Sequence, residues 1–426
     1  MNLLLYFILP AIIYSNFIPN EIRIDYLPGL DFYLKFNHHS GYLDDSTFFW
    51  LFESQHIVPH DPVIFWFGGE CSSFLAILEE NGPFLLNNDG HTLRENKFSW
   101  NKFSSVVYIE HFPYGKYNNK SIEEKYASAI RKFFELNPGF AKREIYLAGK
   151  SLAALQLPVV ANHLTTGDVK LNIKGLLIGN GFFGTQLYIE TGLMYAYARG
   201  FLDEDEFIEM VDGCCKGILN ECDFYKKNNS ECEKIVNLLK KPKYEAVTAY
   251  DITKQCEDNS WMKHILGQPN PYFSNNNSYG NSKFCYDVHE NIYMYLNKLD
   301  VQKALILRSS MISEWKPCES LNIESKPNVD IEHEFKKVAG KGIKTLLYYG
   351  DEDMINIFMM GQKFAAKLNS RAEDEKTGWK FNGYLAGYQT DYNYMKFITI
   401  RGAGHSPIIT HPQEVYQMIT KFIRDK

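Results

Sequence analysis

Six short, mostly apolar runs set the rhythm of this chain, and each is closed by glycine or an acid. Val63-Ile64-Phe65-Trp66-Phe67 breaks at Gly68-Gly69, and Val106-Val107-Tyr108-Ile109 ends at Glu110. Ile145-Tyr146-Leu147 ends at Gly149, and Leu176-Leu177-Ile178 at Gly179-Asn180-Gly181. Thr345-Leu346-Leu347-Tyr348-Tyr349 leads to Gly350-Asp351-Glu352-Asp353, and Phe397-Ile398-Thr399-Ile400 to Gly402-Ala403-Gly404-His405. Continuous runs of this length are expected of strands buried on both faces. Between them, residues 121–136 place Ile122, Tyr126, Ala129, Ile130 and Phe133 on one helical face. A closing amphipathic helix is predicted at about 412–424. Strands alternating with helices predict an α/β domain with a mostly parallel sheet, where functional groups gather beyond the strand C-termini. Alternating aromatic and polar residues in 31–53 suggest antiparallel strands leading in.

The pattern changes between about 182 and 300. Helical periodicity continues there without buried strands, residues 274–282 are rich in Asn, Ser and Gly, and six of the eight cysteines cluster. This reads as an inserted helical cap held by disulfides. The expected division is therefore a signal segment at 1–15, core at 16–181, cap at 182–300 and core again at 301–426. No internal repeat is visible.

The leading segment rests on the apolar stretch 3–14, too short to span a bilayer comfortably and suited to a signal-peptide core. No later segment is long and apolar enough for a transmembrane helix. The expectation is a mature protein that is lumenal, lysosomal or secreted and not membrane-bound. Eight cysteines, an even count behind such a segment, favour disulfides. No C-x-x-C pair or paired histidine at ligand spacing points to a metal, and no cofactor motif is present. Sequons at Asn119, Asn228 and Asn276 fit glycosylation in the same pathway. A net charge of −6 without a basic run argues against a nucleic-acid partner.

The candidate chemistry centres on Ser151. Small residues at Gly149 and Ala153 stand two positions to either side, the spacing of a nucleophile elbow in which strand turns sharply into helix. A serine hydroxyl needs an imidazole to take its proton and a carboxylate to hold that imidazole in the right tautomer. Asp351 and Asp353 follow one strand end and His405 follows another, in the chain order Ser…Asp…His expected of an α/β-hydrolase. Asp353 is preferred because residues further past a strand end reach the site. His405 sits in a glycine-bracketed turn that lets the ring point inward.

With these residues in hand, the chain resembles the serine carboxypeptidase family from about Leu27 to its C-terminus. The segments carrying the resemblance include Ser40-Gly41-Tyr42-Leu43, Glu53-Ser54-Gln55, Asn81-Gly82-Pro83-Phe84 and Ser99-Trp100-Asn101. They continue with Gly149-Lys150-Ser151, Gly179-Asn180-Gly181, Cys214-Cys215, Tyr349-Gly350-Asp351-Glu352-Asp353-Met354 and Gly402-Ala403-Gly404-His405. The resemblance implies Ser151 as nucleophile, Asp353 as triad acid and His405 as base, with oxyanion N–H groups from Gly69 and Leu152. It also implies the pairings Cys71–Cys318, Cys214–Cys232, Cys215–Cys222 and Cys256–Cys285. A peptide substrate cut at its C-terminal residue is expected, and a homodimer is admitted.

The departures fall on substrate recognition. The family's Asn-Gly-Gly-Pro-Gly-Cys-Ser-Ser is shortened by one residue to Phe67-Gly68-Gly69-Glu70-Cys71-Ser72-Ser73. Phe67 cannot make the hydrogen bonds of the asparagine amide. Of two glutamates that grip the substrate carboxylate in the family, one matches Glu80 and the other is Lys150. Gly68, Glu80 and Lys150 are thus the candidate substrate-binding residues. Lys150 has three options: pairing with Glu80, binding a carboxylate directly, or pointing into solvent. Leu152, Ala154 and Gln156 alter the pocket wall, and the loop His111-Phe112-Pro113-Tyr114-Gly115 diverges. The leading expectation is a carboxypeptidase with altered carboxylate recognition. The alternatives are an impaired homologue that binds or stabilises another protein, and an acyltransferase or esterase.

Overall fold

The computed structural model describes residues 21–69, 71–111, 121–166, 171–218, 232, 247–248, 250–255, 288–308, 314–317, 331–369 and 375–425. The leading segment 1–15, the three sequons, residues 112–115, Glu70, and Cys222, Cys256, Cys285 and Cys318 lie outside them. Eleven strands form one sheet: β1 (Glu21–Arg23), β2 (His38–Tyr42), β3 (Thr47–Phe52), β4 (Val63–Phe67), β5 (Ser105–His111), β6 (Ile145–Lys150), β7 (Ile173–Gly179), β8 (Lys344–Gly350), β9 (Thr377–Phe381), β10 (Tyr384–Asp391) and β11 (Met395–Ile400). Their spatial order is β1-β2-β3-β5-β4-β6-β7-β8-β11-β10-β9. The six central strands, β5 to β11 in that order, pair in parallel. The flanking strands pair antiparallel. All six apolar runs of the sequence lie in this parallel block.

Each parallel strand feeds two cores, because successive side chains leave the sheet on opposite faces. Ile64 and Trp66 of β4 join Trp50, Tyr108, Tyr348 and Ile398 on one face. Phe65 and Phe67 join Phe49, Val107, Leu147 and Leu347 on the other. All five residues of β4 are at most 1% exposed, and full burial of each large apolar side chain contributes roughly 1.5–3 kcal/mol. The second face is covered by α1 (Ile122–Leu136) and α2 (Ala153–Leu164), together with the helices Ile331–Gly340 and Phe358–Asn369. Helix α1 starts at a capping box, with Ser121 Oγ accepting from Glu124 N–H at 3.2 Å, and buries Tyr126, Ala129, Ile130 and Phe133 as the periodicity predicts. The closing helix runs over Pro412–Arg424 and buries Val415, Met418, Ile419 and Ile423.

The antiparallel strands expected in 31–53 are β2 and β3, paired with each other, and all six residues of β3 are buried because it lies inside the sheet between β2 and β5. An element that the sequence reading does not include is the hairpin β9–β10, which closes the sheet's far edge. Its turn is Asn382-Gly383 with φ of 48° and 83°, a two-residue loop with both positions left-handed, matching the right-handed twist of its strands. Asn-Gly is itself the sequence signal for such a turn. The run read as free of buried strands also contains a short pair, Val247–Thr248 with Asp251–Gln255.

Between β7 and β8 lie helices Thr185–Ala198, Glu204–Cys215, Val288–Leu296 and Leu299–Ala304. Cys214 and Cys232 are joined as a disulfide, as the resemblance implies. Cys71 and Cys215 are each disulfide-bonded as well, to cysteines outside the described residues. Among the described residues, no helix is long and apolar enough to cross a membrane, and no cluster of His, Cys, Asp or Glu is arranged to hold a metal.

Candidate active site

Ser151 follows the last residue of β6 and precedes α2 with a left-handed backbone, φ 55°. That conformation costs a non-glycine residue about 1–3 kcal/mol and persists only where its surroundings enforce it. They do so here through backbone bonds: Ser151 N–H donates to Gly179 O at 3.1 Å, and Phe182 N–H donates to Ser151 O at 3.0 Å. The small flanking residues are equally constrained. A Cβ on Gly149 would meet Ala153 Cβ at 2.6 Å and Phe67 O at 2.8 Å. Alanine is accommodated at 153 because its partner across the turn is a glycine.

The acid and the ring arrive from neighbouring strand ends. His405 Nδ1 lies 2.8 Å from Asp353 Oδ2, with the histidine 4% exposed and the aspartate 0%. Water therefore screens this pair little. Asp353 Oδ2 also accepts from Asn180 Nδ2 at 2.7 Å, and its Oδ1 from Ile355 N–H at 2.8 Å. The competing Asp351 is committed elsewhere: Gly402 N–H donates to its Oδ1 at 2.7 Å, and burial raises its pKa. His405 is anchored by its own N–H, which donates to Tyr250 O at 2.6 Å, and the Tyr250 ring stands edge-on at 5.2 Å. With Nδ1 turned to the carboxylate, Nε2 is the nitrogen left for proton exchange. Asn356, 3% exposed, donates through Nδ2 to Ser151 Oγ at 3.0 Å and to Asn180 O at 2.9 Å.

The residues that the sequence reading assigns to recognition and the oxyanion are Gly68, Gly69, Glu80 and Lys150, with Leu152. Gly69, at φ 73°, is packed on the elbow; a Cβ there would meet Lys150 O at 3.0 Å and Leu152 N at 3.7 Å. The shortened loop thus still brings the Gly69 backbone beside the Leu152 N–H. Gly68 is in a tight turn, where a Cβ would meet Cys71 O at 2.0 Å. Phe67 is packed edge-on against Tyr126 of α1 at 4.6 Å within the core. Of the three options for Lys150, the structure takes the first: its Nζ is ion-paired with Glu80 Oε1 and donates to Ser406 Oγ at 3.2 Å. The Glu80 side chain is fully buried while that of Lys150 is 19% exposed.

A family model described as serine carboxypeptidase matches residues 28–425. The chain belongs to that family. It is 29% identical over 450 residues to the serine carboxypeptidase ctsa-4.1 of Caenorhabditis elegans, covering 96% of this chain and 94% of the relative. It is 28% identical over 452 residues to the lysosomal protective protein of Mus musculus, covering 95% and 94%. Among solved structures it is similar to a prohormone-processing carboxypeptidase of Saccharomyces cerevisiae, Kex1ΔP, with a TM-score of 0.71, 20% identity and 95% of each chain covered. At that identity the match speaks for the fold alone, which is the α/β-hydrolase fold.

Three contributors are not singled out by the sequence pattern. Asn180 stands in the quoted Gly179-Asn180-Gly181, but nothing there announces its bond to Asp353. Asn356 and Tyr250 belong to no motif; each reaches the site through a turn whose path the periodicity does not encode.

Proposed function

We propose that this chain is a serine-type carboxypeptidase whose peptide hydrolysis runs through Ser151, His405 and Asp353. The observations that support the reading are the buried 2.8 Å contact between His405 and Asp353 and a serine held at left-handed φ on a strand-to-helix turn. Ser151 Oγ attacks the scissile carbonyl while its proton passes to His405 Nε2. The imidazolium, stabilised by Asp353, then protonates the leaving amine. The N–H groups of Leu152 and Gly69 receive the developing oxyanion, and each such donor contributes about 10²–10³ in rate. The substrate's terminal carboxylate is received at Gly68, Glu80 and Lys150, where a lysine stands in place of the family's second acid. The similarity to a lysosomal protective protein supports an address in the secretory pathway, in the lysosome or outside the cell.

A second reading, an esterase or acyltransferase, is favoured by one observation. Glu80 is engaged by Lys150, and Phe67 is withdrawn into the core; neither feature is needed where no peptide carboxylate is held. Labelling with a fluorophosphonate probe tests the nucleophile: labelling of the folded protein that vanishes in Ser151→Ala is expected, and unlabelled wild type would reject it. A blocked dipeptide, its amide and an ester assayed side by side then separate the two readings.

A further inference from the structure

We infer that Asn356 is a catalytic residue, a fixed donor to the nucleophile's oxygen through both halves of the reaction. This rests on the proposed role of Ser151. One loop, leaving β8, supplies two groups to the site: Asp353, which orients the base, and Asn356, which touches the nucleophile. The Asp353 carboxylate fixes that loop from within by accepting from Ile355 N–H at 2.8 Å.

The orientation of the Asn356 amide follows from its partners. A backbone carbonyl only accepts, so the group facing Asn180 O at 2.9 Å must be the NH₂, and the same nitrogen faces Ser151 Oγ at 3.0 Å. A serine hydroxyl has one hydrogen and two lone pairs. One lone pair accepts from Asn356, the hydrogen is passed to His405 Nε2, and the other lone pair attacks the carbonyl carbon. In acylation the Oγ–H bond breaks as the Oγ–C bond forms and the amine leaves with the proton. In deacylation water adds to the acyl carbon, giving its proton to Nε2. The C–Oγ bond then breaks with its electron pair going to Oγ, and that proton is returned to Oγ. Asn356 N–H stabilises the oxygen at this moment, when it carries most negative charge and the hydrogen bond is charge-assisted. At 3% exposure the donor needs no reorientation and competes with little water.

The test uses the full-length protein with an activated ester and the fluorophosphonate probe. Asn356→Leu keeps the side chain's bulk and deletes the donor; Asn356→Ala does so with less bulk, should the leucine variant fold poorly. Either is expected to lower kcat about tenfold, the effect of one net hydrogen bond, and to slow labelling of Ser151. The acid limb of the kcat/KM profile should stay at its wild-type midpoint, because Asp353 and His405 are untouched. Wild-type turnover in both folded variants would overturn the inference, as would a loss accompanied by a displaced acid limb, which would mark Asn356 as a mere support for the Asp353 loop. Absence of Ser151 labelling in the wild type would instead reject the parent reading.

Discussion

The two flanks of the site are built to different standards. On the flank of the base, both Asp353 oxygens are occupied, by His405 and Asn180 on one and Ile355 on the other, and the Asn356 amide spans Ser151 and Asn180. On the side of the Lys150–Glu80 pair, Glu80 Oε2, Asn81 Nδ2 and Tyr348 Oη are buried without hydrogen-bond partners among the described residues, and on the side of the base Asp251 Oδ2, beside Gly404, is in the same position. An unmet buried polar group costs about 1–3 kcal/mol. The contrast is one of degree: the Asp353 carboxylate and the Ser151 hydroxyl are held in one hydrogen-bonded network, whereas the side proposed for recognition keeps more polar capacity unmet.

The largest expected effect breaks the closed side. Asp353→Asn keeps the shape of the carboxylate but alters what His405 Nδ1 meets and with it the tautomer. A fall in kcat of roughly 10⁴ is expected, with little change in KM. Steady-state kinetics on a blocked dipeptide measures it; a loss below tenfold would mean that this buried contact does not orient the base.

On the recognition flank, Lys150→Met removes the cation and leaves Glu80 buried alone. Breaking a buried pair costs about 3–5 kcal/mol, and the lower end applies because the Lys150 side chain is 19% exposed. Chemical denaturation should show that loss, and the double variant with Glu80→Gln should recover most of it. The same lysine variant should raise KM for a peptide acid more than for its amide. Equal effects on both substrates would remove Lys150 from carboxylate binding.

How legible each flank was follows from how its residues reach the site. Ser151, Asp353 and His405 sit just past β6, β8 and β11, so buried apolar runs ending in small or acidic residues betray them directly. Lys150 and Glu80 lie 70 residues apart, and sequence offers their pairing only as one option of three; a lysine of that reach adopts any of them until the fold brings the acid within range. Asn356 and Tyr250 are reached by irregular backbone, whose direction is set by packing and has no period to read. The hairpin β9–β10 is an intermediate case. Its Asn382-Gly383 turn is a strong local signal, but its strands are partly exposed, β9 at the very edge of the sheet, with no buried run to frame them.

Acid stability separates both flanks from the scaffold around them. Burial is the first cause that lowers the pKa of His38 to about 3 and that of His111 to about 4. Nδ1 of His38 accepts from Trp50 Nε1–H at 3.1 Å, which requires the neutral ring. Below pH 6.5 the unfolded chain takes up these protons before the folded one does. Stability is therefore full above about pH 6.5 and is lost as pH falls toward 3–4, by up to about 1.4 kcal/mol per pH unit for each ring. His38→Gln, which can still accept from Trp50, should flatten denaturation midpoints between pH 7 and 5. An unchanged slope would show that this ring does not set the acid limit. The activity profile must be read against this loss, since unfolding would otherwise be mistaken for titration of the base.

The smallest effect tests the contrast itself. Tyr348 Oη is buried, without a hydrogen-bond partner among the described residues, and beside Gly179, where a Cβ would meet it at 2.6 Å. Burial and the nearby Glu80 raise the phenol's pKa, so it stays protonated and neutral. If the recognition flank truly leaves this oxygen unmet, Tyr348→Phe removes a penalty and nothing else, and stability should rise by about 1 kcal/mol. Asn180→Gly is the matched change on the closed side. Glycine accepts the φ of 41° at that position, and the variant loses the bond to the Asp353 carboxylate together with the weaker one that Asn180 Oδ1 accepts from Gly350 N–H at 3.3 Å. A hydrogen bond to a charged group contributes about 1.5–3 kcal/mol, so this variant should be destabilised by that amount. Opposite signs from the two side-chain deletions would show that the flanks differ in satisfaction and not merely in composition. Loss in both would mean that water or substrate-independent contacts already fill the recognition side.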